Sequence, residues 1–248
     1  MKRITLRVLI LALAAALCLA GCQSNQGSVS KNNPPPFTGD RTKTTLDNGG
    51  FENWLQGWEI LSGEAFIPGC VIDSAQTFWG EREFLARGER FLNGYEAPEN
   101  ARGKLASAMF TLAGDGYISF MVGGAKTNKC YISIHTEDGR EIARYTNVRA
   151  FKDPEMAENL HREYMHLPNY IGKVLYIQLN DDDNREGDFA AINADDFIVS
   201  MTEADVKALM KSTYDEIMAL EDIAINRYIK NFYRTYNYPF PLADLIGK

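Results

Sequence analysis

Between Asp47 and Met201 the chain is a succession of short apolar, β-rich runs separated by Gly, Asn and Asp. Nine such runs stand out: Trp58–Leu61, Glu89–Asn93, Lys104–Leu112, Tyr117–Val122, Tyr131–His135, Glu141–Tyr145, Arg162–Leu167, Val174–Asn180 and Ile192–Ser200. Glu137-Asp138-Gly139-Arg140 joins two of them as a hairpin turn. Few stretches between the runs have helical periodicity, so parallel βαβ architecture is excluded. The pattern predicts an all-β, two-sheet sandwich with one core.

The pattern changes at Thr202. Thr202-Glu203-Ala204-Asp205 reads as a capping box, in which the hydroxyl and the carboxylate satisfy free N–H groups of a first helical turn. Val206, Leu209, Met210, Thr213, Ile217, Leu220 and Ala224 then recur at helical spacing. One amphipathic helix is expected, reaching toward Phe232, with an aromatic tail after it. The sandwich, 46–201, is expected to fold without this helix, and 202–248 is read as a separate helix and tail.

The other end is a targeting segment. Lys2, Arg3 and Arg7 precede an apolar run, Val8 to Leu17, that is too short to span a bilayer as a mature helix. Leu19-Ala20-Gly21-Cys22 follows and resembles a bacterial lipobox, which makes 1–21 a lipoprotein signal peptide and Cys22 the lipidated residue. Two or more acyl chains give stable anchoring, so the expected location is a cell or outer membrane, facing away from the cytoplasm. Residues 22–45, with Pro34-Pro35-Pro36, read as a flexible tether. Removing three signal cations from a net charge of −7 leaves about −10. So acidic a chain, with no basic run, argues against nucleic acid as a partner. Only Cys70 and Cys130 remain available to pair, as a disulfide or as two buried thiols; neither has a CxxC neighbour.

Two blocks frame the strand series. The first is Asn48-Gly49-Gly50-Phe51-Glu52 with Trp58 beyond it; the second is Ala194-Asp195-Asp196-Phe197-Ile198-Val199. This pair resembles the first and last strands of a galactose-binding-like jelly roll, the sandwich of many carbohydrate-binding modules. Between them come Phe91-Leu92-Asn93-Gly94-Tyr95, Gly103 to Leu112, Gly116 to Gly124, Glu141 to Asn147 and Tyr170 to Ile177. Their order resembles the non-catalytic N-terminal sandwich of bacterial levanases and related β-fructosidases, over residues 46–200. In that family a Tyr-Arg segment leads into a catalytic propeller that opens on Trp-Met-Asn-Asp-Pro-Asn-Gly. Phe232-Tyr233-Arg234-Thr235-Tyr236 resembles the approach, but no such block follows it.

The resemblance implies a carbohydrate binder, with fructan or another glycan as partner and no catalysis in this chain. The alternatives are a scaffold or docking module, or a truncated piece of a β-fructosidase. It also implies a structural Ca2+ where the first and last strands meet, with Glu52 and Asp196 as carboxylate ligands and carbonyls near Gly49 and Gly50 completing the shell. Sugar binding needs a flat ring and planar polar groups. Trp79 and Tyr95 are the candidate rings, with Asn93, Glu81 and Arg82 as hydrogen-bonding partners. Trp58 alternates with Ile60 and reads as core; Trp54 is unassigned. Asp181-Asp182-Asp183 reads as a solvated turn. No metal-ligand spacing of His, nucleophile elbow or phosphate loop occurs, and adjacent carboxylates in an acidic chain are weak grounds for glycosidase chemistry.

Overall fold

A computed structural model describes residues 40–78, 82–98, 100–124, 127–147, 157–184 and 191–236. The strands in chain order are β1 (Trp58–Gly63), β2 (Val71–Asp73), β3 (Thr77–Phe78), β4 (Arg82–Glu83), β5 (Arg90–Asn93), β6 (Gly103–Ser107), β7 (Phe110–Thr111), β8 (Tyr117–Gly124), β9 (Cys130–Thr136), β10 (Glu141–Tyr145), β11 (His161–His166), β12 (Val174–Asp181) and β13 (Ile192–Met201). Two helices follow, α1 (Glu203–Ala219) and α2 (Ala224–Tyr236). Sheet A has the order β1-β6-β12-β9-β10, with β7 beside β12; sheet B has the order β11-β8-β13-β5-β2; β3 and β4 form a separate hairpin. The expected β-sandwich is therefore the fold. Among the described residues no helix is long and apolar enough to cross a membrane.

Alternation builds the core. Leu105, Ile132, Ile134, Leu175, Ile177 and Leu179 from sheet A meet Leu92, Ile118, Phe120, Val122 and Ala194 from sheet B. All are fully buried, and each large apolar side chain contributes about 1.5–3 kcal/mol. Cys70 and Cys130 belong to this core as buried thiols not joined in a disulfide, so the disulfide option is not realised. Burial pushes both thiols up, which makes them inert.

The run read as one strand, Lys104–Leu112, is split into β6 and β7 because Ala108 turns its N–H to Gly57 O (2.7 Å). Upstream, Arg41 O and Lys43 O accept the hydroxyl and the N–H of Thr111 (2.5 and 2.7 Å), clasping the entering chain to β7.

Thr202 and Asp205 form the capping box that starts α1. The single expected helix is two helices, broken between Ala219 and Ala224. The break lets Ile217 on α1 face Ile229, Phe232 and Tyr233 on α2, with Leu85 packed against the cluster. Val206 of α1 sits on Tyr117, Tyr164 and Met201. The outward face of sheet B is thus covered by α1, α2 and the segment after the β3–β4 hairpin, whose Phe84 packs on Phe91 and Met121.

The outward face of sheet A is polar. Asn180 Nδ2 donates to Ser133 Oγ (2.8 Å), and Ser133 Oγ lies 2.8 Å from His135 Nε2. His135 Nδ1 is 3.2 Å from Gly139 O. Burial lowers the His135 pKa, favouring the neutral ring. A carbonyl only accepts, so Nδ1 carries the proton and Nε2 accepts from Ser133. The rings on this face are covered: Tyr176 stacks on His135, and the Arg144 guanidinium lies 3.7 Å from the Tyr131 ring centroid.

Candidate functional site at the first and last strands

The opening block folds back on itself before β1. Asn48 holds the turn: its Nδ2 donates to Trp54 O and Gln56 O (2.8 Å each), and its Oδ1 accepts from Asn53 N (2.9 Å). Trp58 Nε1 donates to Asn48 O (3.0 Å). Trp58 is core as expected, stacked on Phe51 with centroids 4.8 Å apart, and both rings touch Phe197. Phe197 N donates to Gly49 O (3.0 Å). A Cβ on Gly49 would lie 2.2 Å from Phe197 O, so only glycine permits this approach. The two blocks that frame the strand series meet here.

Two carboxylates converge behind that seam. Glu52 Oε1 and Oε2 both accept from Glu89 N (3.0 and 3.1 Å). Gly88, at φ +66°, makes room: a Cβ there would lie 1.8 Å from Glu52 Oε1. The second carboxylate is Asp195. Its Oδ1 lies 3.7 Å, and Glu52 Oε1 3.9 Å, from where a Cβ on Gly50 would stand. Asp195 is fully buried and accepts from Arg87 N (2.6 Å) and Asp196 N (2.7 Å). Burial pushes its carboxyl up to about 8, against the pull of those two N–H donors.

Asp196, the sequence candidate, has a different partner. The register of β13 on β8 slips between Asp195 and Ile198, and Asp196 has φ 44°. One extra residue in a strand breaks alternation. The bulge turns Asp196 to Arg162, whose Nη2 pairs with Asp196 Oδ2 and whose Nη1 donates to Asp196 O (2.9 Å). Arg162 is 1% exposed, on the outward face of sheet B opposite Met121. Arg87 links the same region to α1: its guanidinium pairs with Glu216 and approaches Thr213 Oγ1 (3.4 Å).

Two carboxylates held by backbone N–H donors, one of them raised by burial despite the Arg162 guanidinium nearby, suit a hard divalent cation such as calcium. Among the described residues no group of three or more His, Cys, Asp or Glu could hold a metal. Backbone carbonyls would have to complete the shell.

The sugar candidates are dispersed. Trp79, Glu81 and Cys22 lie outside the described residues. Arg82 lies in β4 of the hairpin. Asn93 is buried and caps the 3-10 turn Gly94–Glu96, its Oδ1 accepting from Tyr95 N (3.2 Å). Tyr95 and Asn193 lie near the Glu158 carboxyl and lower its pKa, and Asn193 Nδ2 donates to Glu158 O (3.5 Å). Asn93 therefore serves the interior, and Tyr95 is half-buried. Asp181 and Asp183 are buried too, rather than solvated; Cys130 Sγ donates to Asp181 Oδ1 (3.3 Å) and Lys129 pairs with Asp183 (3.8 Å). Their short spacing to a strand end hid this from the sequence.

No family model matches the chain, and no curated protein matches it. Among solved structures, it is similar to the K3 adhesin domain of Lys-gingipain from Porphyromonas gingivalis, with 15% identity, a TM-score of 0.34, and coverage of 63% of this chain and 99% of that one. It is also similar to TmCBM61, solved in complex with β-1,4-galactotriose, with 16% identity, a TM-score of 0.39, and coverage of 63% and 97%. Likenesses this faint leave the residues themselves to speak for function.

Proposed function

We propose that the chain is a non-catalytic, carbohydrate-binding lipoprotein, anchored through Cys22, that takes part in fructan or other glycan use. The supporting observation is the meeting of the opening and closing blocks. Glu52 and Asp195 face a common space behind Gly50, as the resemblance to galactose-binding-like modules leads one to expect. We take Ca2+ as the brace at that point. Glu52 and Asp195 would hold it, and its charge would balance the buried Asp195 carboxylate.

Calcium bound only to the folded state raises stability by about 2.7 kcal/mol at 100 times Kd. Thermal melts in excess calcium and in chelator should therefore differ, and Glu52→Ala or Asp195→Ala should each remove the difference. Coincident melts for the unsubstituted chain would exclude a brace.

Glycan binding is tested by retention on levan, inulin and a panel of other polysaccharides. Trp79 remains a proposed sugar-stacking ring, and Trp79→Ala should reduce retention. No release of fructose from sucrose, levan or inulin is expected. Failure to bind any glycan would favour a scaffold role, toward which the covered rings of Tyr131 and Tyr176 already lean.

A further inference from the structure

Three non-glycine residues of the opening turn, Asn48, Phe51 and Trp54, have positive φ, between 55° and 57°. Each such residue costs roughly 1 kcal/mol or more. Asn tolerates the conformation, and Phe51 offsets it by full burial against Trp58 and Phe197. Trp54 does neither. It is 53% exposed, so most of its indole stays in water. Folding alone gives no reason for a tryptophan at a position where glycine would relax the backbone.

The surroundings of the ring are ordered. Trp54 N donates to Phe51 O (2.9 Å), and Asn48 fixes Trp54 O. The Arg90 guanidinium lies 5.2 Å from the ring centroid. It is held there by Glu52 O (3.4 Å) and by the Glu89 carboxylate (3.8 Å), itself 87% exposed. A flat indole, a planar donor fork and an exposed acceptor thus stand side by side. Among the described residues up to 235, the other large aromatic side chains are buried or half-buried, apart from Tyr228 at 37%.

We propose that Trp54, Arg90 and Glu89 form a sugar-stacking platform for a neutral glycan. This deepens, and rests on, the carbohydrate-binding reading above. With Arg90 against one face of the indole, the other face takes the C–H side of a sugar ring, while Arg90 donates to hydroxyls and Glu89 accepts from them. Arg90 already holds the position a cationic ligand would need. Glu89 repels anionic sugars.

The test uses Trp54→Gly in the full-length mature chain. Glycine suits the positive φ, so the melting temperature should stay level or rise. Electrophoresis through native gels containing levan, inulin, β-1,4-galactan or xylan measures binding. The substitution should weaken retardation roughly 3–10-fold, the effect of one stacked ring. A neutral oligosaccharide should also shift the Trp54 indole N–H signal more than that of Trp58. Equal retardation of parent and Trp54→Gly, with Trp79→Ala impaired, would overturn the platform and leave the carbohydrate-binding reading standing. A parent chain that no polysaccharide retards would overturn both.

Discussion

Asp196→Ala should cost about 3 kcal/mol of stability, in calcium and in chelator alike. Arg162 is almost wholly buried, whereas the Asp196 side chain is 30% exposed. Removing the carboxylate therefore strands the partner that cannot reach water. Breaking a buried pair in this way costs about 3–5 kcal/mol. The lower end applies because Asp196 O still accepts from Arg162 Nη1. A compensating change follows from the same reasoning. Arg162 sits opposite Met121 with Tyr164 two residues along the strand, so methionine suits its surroundings. Arg162→Met combined with Asp196→Ala should recover most of the loss, because neither charge is left. Urea melts of the two single variants and the double variant decide it. A loss below about 1 kcal/mol for Asp196→Ala would mean that the guanidinium is hydrated. The same variant is a poor test for calcium, since it weakens the fold for its own reason.

Glu158→Gln should stabilise the protein above pH 7 and leave it nearly unchanged near pH 4.5. Burial pushes the Glu158 carboxyl up from its ordinary 4.5 to about 7, although the neighbouring Tyr95 and Asn193 pull the other way. A raised pKa means the folded state holds the proton more tightly than the unfolded chain. The stabilisation is fully present below the unfolded value and is lost as pH rises through 7. The interval corresponds to roughly 3 kcal/mol. Glutamine keeps a neutral group in place and removes this dependence. Asp181, raised by burial to about 6, and Asp195, raised to about 8, act in the same direction and will keep part of the slope. Melting temperatures between pH 4.5 and 8 measure the difference. Parallel curves for Glu158→Gln and parent would show that Glu158 does not titrate in this window.

The long strands were legible because both faces of the pattern repeat over five or more residues. Tyr117–Gly124, Cys130–Thr136 and Val174–Asp181 match their sequence segments within a residue or two at each end. β2, β3 and β4 were not legible: two or three residues cannot show alternation. The helix break at Leu220–Ile223 carries no Gly or Pro, and it follows from packing between α1 and α2. At the site, the meeting of the opening and closing blocks could be read from the sequence. The choice between Asp195 and Asp196 could not, because a bulge is a local failure of alternation. Asn93 and Tyr95 looked like ligand groups because their partners, Glu96 and Glu158, are set by the fold.

The clasp at Arg41–Lys43 has a mechanical side. If residues 22–39 tie the chain to a membrane, any drag on the folded part is delivered at Asp40. The load then falls first on the bonds from Thr111 to Arg41 O and Lys43 O and on the exposed Arg41–Glu137 pair. These are few and reachable by water, so they yield and reform at low force. Only after they part would tension reach Asn48 and the Gly49–Phe197 seam that shuts the carboxylate site. Under such a load the clasp would act as a fuse, letting the chain lengthen by a few residues before anything that shapes the site is disturbed.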